Sequence, residues 1–205
     1  MTFSFKVKSF LAICAFTVIG ARVESECSDL NDGNSTKSEE PAISYNHIAR
    51  VSDWSVFSEN EPKNCWVVTT PYKTIFEPDN STKALCRGTV NLSVAFWPEK
   101  NIHEQLSFSS GYTFDHTVDV KFNMNHKNYR LLTKLGGEHA WPKNTAEDVR
   151  IVSAMKRARY LTIIAKAKNG QSIKDTFSLS GFASAIEIAA RTCGSEYLGS
   201  EYLGS

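Results

Sequence analysis

The chain predicts a mainly β fold, an antiparallel β-sandwich with two short helices in its C-terminal half. Val90, Leu92, Val94 and Phe96, and again Val118, Val120, Phe122 and Met124, alternate with polar or small residues, the period of a strand with one buried face. Asn169-Gly170 separates two further apolar runs, as a tight hairpin turn does. Helical spacing follows Asn144 and Gly181.

The first segment, 1–25, has the three parts of a secretory signal: Lys6 and Lys8, an uncharged run over 9–21, then small residues around Gly20, Ala21 and Ser25. The apolar run is shorter than the roughly 20 residues a bilayer-spanning helix needs, so no transmembrane segment is expected in the mature chain. Cleavage after Ala21 or Ser25 suits the small-residue preference, with Val23 favouring Ser25. Cys14 lies deep in the apolar run behind Ile13, where a lipobox wants a small residue, and is expected to leave with the signal.

Four of the five cysteines then remain: Cys27, Cys65, Cys86 and Cys193. An even number behind an export signal favours disulfides, with three possible pairings. Residues 26–40 are too polar to bury and form an expected flexible leader. Residues 195–205 repeat Ser-Glu-Tyr-Leu-Gly and read as a tail. One domain is expected over 41–194, a length that suits a single core.

Within the domain, 54–57 and 65–70 read as strands separated by the turn-rich 59–64, and 71–88, with two prolines, reads as a long loop. A weaker strand around Leu106 and Phe108 stops at Gly111. A strand over 129–133 follows the turn at 125–128. Asn144 is a predicted helix cap with Glu147 reaching back to it, and Val149, Val152 and Met155 fall on one helical face. The hairpin strands are 160–167 and the run through Ile173, Phe177 and Leu179. The last helix aligns Phe182, Ile186, Ala189 and Cys193 in one stripe, turning the final cysteine toward the core.

Chemistry is sparse. His47, His103, His116, His126 and His139 stand singly, without the close spacing of metal ligands, so no metal is expected. No serine elbow or Cys-x-x-Cys pair is present. Gly136-Gly137 lacks a phosphate-loop pattern. The net charge of +1 asks for no nucleic acid or anionic membrane. Lys156, Arg157, Arg159, Lys166 and Lys168 form a modest basic cluster, for which a helix C-terminus already gives a structural reason. Asn-x-Ser/Thr triplets begin at Asn34, Asn80 and Asn91. Of the four tryptophans, Trp66 lies in an apolar strand and is expected in the core. Trp97 before Pro98 at a strand end, and Trp141 before Pro142 in a loop, are the candidates for an exposed binding surface.

Taken in order, Asp53-Trp54, Cys65-Trp66, Pro71, the strand over 90–96, Gly111-Tyr112, Ala140-Trp141-Pro142, Ala154-Met155-Lys156, Asp175-Thr176-Phe177-Ser178-Leu179, Gly181-Phe182 and Cys193 resemble the bacterial invasion-associated locus B family over about residues 54–193. The resemblance implies an exported bacterial protein with a sandwich-like fold, a Cys65–Cys193 pair, and a link to host-cell invasion, with no reaction, cofactor or catalytic residue to carry over. The chain departs from the pattern in Phe177, where tyrosine is usual, in Arg157-Ala158 in place of a more typical glycine, and in Cys27 and Cys86, additions expected to pair with each other.

The expected function is therefore that of a non-catalytic periplasmic or secreted protein. Its partner is an unknown protein or an envelope or host-surface component, bound around Trp97 and Trp141. The alternatives are a periplasmic enzyme using His103, His116 and Asp115, and a structural periplasmic protein without a dedicated ligand.

Overall fold

The computed structural model describes residues 46–61, 63–77, 85 and 87–194. The signal, the leader, the tail, Cys27, Cys86 and the Asn34 and Asn80 triplets lie outside the described residues. The strands are β1 (Asn46–Val51), β2 (Trp54–Asn60), β3 (Lys63–Thr69), β4 (Lys73–Phe76), β5 (Asn91–Trp97), β6 (Ile102–Ser109), β7 (Val120–Met124), β8 (Lys127–Thr133), β9 (His139–Trp141), β10 (Tyr160–Lys166) and β11 (Ser172–Ser178). The helices are α1 (Thr145–Met155) and α2 (Phe182–Cys193).

All eleven strands join one antiparallel sheet in the order β1-β2-β3-β5-β6-β9-β8-β7-β10-β11-β4. β6 and β11 are five places apart in that order, about 24 Å in a flat sheet, yet the rings of Phe108 on β6 and Phe177 on β11 lie 6.1 Å apart edge to face. The indole N–H of Trp54 on β2 likewise donates to Ser178 O on β11 at 3.1 Å. The sheet therefore doubles back at β9–β8 and packs its two halves face to face. β1, β2, β3, β5, β6 and β9 form the first layer; β8, β7, β10, β11 and β4 form the second.

Period-two alternation sets which side chains fill the gap. Trp54, Val56, Val67, Leu92, Val94, Leu106 and Phe108 from the first layer meet Val120, Phe122, Leu131, Leu161, Ile163, Ile173 and Phe177 from the second in one core. The Asn125-His126 turn between β7 and β8 takes left-handed backbone at both residues, which matches the twist of its flanking strands. Gly170 does the same between β10 and β11. α2 packs on β1, β2, β3 and β5 through the expected stripe of Phe182, Ile186, Ala189 and Cys193. Cys193 is bonded to Cys65 of β3, with Cα atoms 5.9 Å apart.

Several expectations are corrected. β1, β4 and β9 were not expected. β4 lies within the stretch read as loop, because its four residues are held by pairing with β11 a hundred residues away. Trp66 is not core: Cys65 and Val67 point inward, so the residue between them faces out. On α1 the buried residues are Asp148, Ile151, Val152 and Met155, and Val149 is exposed. Asn144 caps α1, accepting from Glu147 N at 3.0 Å. The Glu147 carboxylate does not reach back and instead accepts from Arg150 at 2.6 Å.

Candidate binding faces and buried polar sites

The outward face of the first layer is assembled by register. His47, Phe57, Trp66, Ala95 and Gln105 are successive cross-strand partners from β1 to β6. Phe57 stacks on Trp66 at 5.6 Å and meets His47 at 5.1 Å edge to face. Beside this row Ser93 and Ser107 share a hydrogen bond of 2.8 Å.

Trp97 closes β5 on this face, half-buried, with the Lys100 ammonium 3.8 Å from its ring centre in a cation–π contact. Its Nε1 is buried without a hydrogen-bond acceptor. Trp141 lies in β9, not in a loop. It stacks on His139 at 5.9 Å, has Lys134 5.6 Å away, and pairs across to the exposed Leu132.

The two tryptophans share a face but not a pocket. Trp97 is opposite Ile102, whereas the Phe108–Ala140 pairing brings Trp141 level with Ser107, about five residues or 16 Å further along β6.

The other predicted constellation does not assemble. His103, at the start of β6, is tied to Asn101 at 3.0 Å. Asp115 and His116 lie beyond the opposite end of that strand. Asp115 accepts from the Thr117 hydroxyl and from Thr117 N at 3.1 Å. These bonds, the hydroxyl first, hold its carboxyl below the usual aspartate range. Among the described residues no three His, Cys, Asp or Glu side chains are grouped as a metal site requires, and no helix is long and apolar enough to cross a membrane. The basic cluster read in the sequence is divided, with Lys156 on Glu104 at 2.8 Å and Lys166 near Asp115 at 3.9 Å.

Two buried polar sites were missed by sequence reasoning. Asp175 on β11 is 1% exposed and forms a two-pronged ion pair with Arg87, one prong being Nη1 to Oδ1 at 2.9 Å. Thr74 donates to the same carboxylate at 2.7 Å, and Arg87 Nε donates to Ser110 O at 2.8 Å. The guanidinium lies 5.3 Å from the Tyr112 ring centre. Burial pushes the Tyr112 hydroxyl well above the usual tyrosine range. Gly111 permits the approach: a Cβ there would fall 2.5 Å from Gly88 O.

This network fastens β4, the 87–88 segment and the 110–112 segment to β11, and it is a structural clasp by its inward position. The second site is Asp148, which accepts from Leu106 N at 2.8 Å and so ties α1 to β6. Both carboxylates were legible only as isolated acids, because their partners lie 88 and 42 residues away.

No protein-family model matches the chain, and no curated protein matches it. Among solved structures it is similar to the crystal structure of invasion associated protein b from Bartonella henselae, with a TM-score of 0.46 and 13% identity. The match covers 70% of this chain and 95% of that one. This likeness assigns no residue a role.

Proposed function

We propose that the chain is an exported, non-catalytic binding protein that engages an envelope or host-surface component through the outward aromatic face of its first layer. The carrying observation is that Trp97 and Trp141 both lie on that face, each with a lysine over its ring. Large amphipathic side chains of this kind supply binding area at low entropic cost. The signal-like segment at 1–25 supports export, and the Cys65–Cys193 bridge suits an oxidising compartment.

The test is capture from envelope and host-membrane extracts by the wild type and by W97A/W141A. The double variant should keep its melting temperature within a few degrees and lose the captured component. Equal capture by a folded double variant overturns the reading.

A further inference from the structure

The outward face of the second layer is chemically unlike the first. Its composition follows from the strand register. One cross-strand row runs Ile75, Lys174, Ile164, Lys121, Arg130 from β4 to β8. The adjacent row runs Lys73, Thr176, Thr162, Asn123, Asn128. These two rows hold four cations and no carboxylate.

The acids Asp119, Asp115 and Glu77 lie toward the Lys166 end of the face, where Asp119 pairs with Arg130 at 3.0 Å, Asp115 with Lys166, and Glu77 lies opposite Ser172. Lys73, Lys121 and Lys174 have no ion-pair partner among the described residues. At the opposite border Tyr72 and Tyr160, both more than half exposed, tilt against each other at 5.6 Å.

We infer that this face is a second binding surface, for a linear sulfated polysaccharide lying across the strands. Three of the four cations, Arg130, Lys121 and Lys174, form a line, with Arg130 and Lys174 three strand spacings apart, about 14 Å, and Lys73 follows in the adjoining row. A chain with regularly spaced sulfates can follow such a line and meet one charge after another. The adjoining row offers Thr and Asn groups that exchange hydrogen bonds with sugar hydroxyls, and the tyrosine pair offers ring faces at the border.

A lipid surface is the competing occupant, since Ile75 and Ile164 flank Lys174 in the same row; the adjoining row of Thr and Asn groups, which a sugar can hydrogen-bond and an acyl chain cannot, favours the polysaccharide. Nucleic acid fits less well too, since no aromatic side chain is interleaved with the cations to stack bases. Binding at this face requires neither Trp97 nor Trp141.

Immobilised heparin serves as the probe, with the purified full chain in its disulfide-bonded form applied at about 0.1 M salt, where screening acts over about 10 Å. The wild type should be retained and released as salt is raised. K73Q/K121Q/K174Q removes the three unpaired cations. Taking each as a factor of about five, as for lysines near an anionic surface, affinity should fall on the order of a hundredfold with the melting temperature unchanged.

K63Q/K143Q/R191Q removes equal charge at exposed positions outside the second layer, none of them over a tryptophan ring, and should remain bound. Failure of the wild type to bind, or equal loss by both triple variants, overturns the proposal. Tighter binding to phosphatidylserine vesicles than to heparin also overturns it, in favour of a membrane.

Discussion

The Asp148 carboxylate is enclosed between α1 and β6 with the Leu106 amide as its donor. Burial, with a smaller push from Glu104, raises its pKa from 3.8 to about 6 against the lowering effect of that amide. The folded chain thus holds this proton more tightly than the unfolded chain. The corresponding stabilisation is full below about pH 4 and is lost as the pH rises through about 6. At neutral pH the site keeps its hydrogen bond at the cost of a buried charge. Asp148→Asn retains an acceptor of the same size without the charge. The variant is expected to be more stable than wild type at pH 7 by about 1–2 kcal/mol, with the difference shrinking toward pH 4. Urea midpoints at four pH values between 4 and 7 check this, and a variant less stable at pH 7 refutes it.

At the same scale, the sequence showed which residues were apolar but not always where they pointed. Trp54 and Trp66 sit in similar apolar runs, and only the parity set by Cys65 sends one into the core and the other out to stack on Phe57.

Among elements, those built from local signals were legible: the two long alternating strands, the Asn-Gly hairpin, the Asn144 cap and the α2 stripe. β1, β4 and β9 were not, because each is held by its neighbours and carries no pattern of its own. The junction of β11 with α2 shows how such neighbours constrain one another. Gly181 has φ +84°, and a Cβ on it would sit 2.2 Å from Val51 O at the end of β1. Ser52 and Ser180 share a hydrogen bond of 2.8 Å at the same place. Gly181→Ala therefore incurs both a left-handed backbone penalty of about 1–2 kcal/mol and a clash with main chain that must move. A total loss of at least about 2 kcal/mol is expected. Gly136→Ala separates the two effects, since Gly136 has φ +73° with nothing within 4 Å of its Cβ position. It should lose only the backbone share. Equal losses in the two variants, read from denaturant midpoints, would show that the contact with β1 contributes nothing.

Over the described residues, folding one sheet into two layers gives two outward faces of different chemistry, one aromatic with a lysine over each of its tryptophans Trp97 and Trp141, the other with its cations gathered in adjacent cross-strand rows. The net charge of +1 conceals this, since the cations of the second layer are gathered by pairings between residues up to a hundred apart. Neither face could be drawn from sequence periodicity, which orders residues along strands but not across them.

The covalent tie acts at this scale too. Cys65 and Cys193 close a loop with a sequence separation of 128 and anchor α2 over β3, both cysteines being buried. On the loop-closure model, a crosslink of this length restricts the unfolded chain enough to contribute about 5 kcal/mol, a large part of the roughly 5–15 kcal/mol available to a domain. Cys65→Ala/Cys193→Ala removes the tie without leaving a thiol at either of its ends. The variant is expected to unfold at a markedly lower urea concentration, and reduced wild type should follow it. Because the sulfurs are shielded, reductant alone should act slowly and be accelerated by sub-denaturing urea. A midpoint unchanged in both the double variant and the thiol-assayed reduced protein would mean that the folded sheet, and not the bridge, holds the end of the chain.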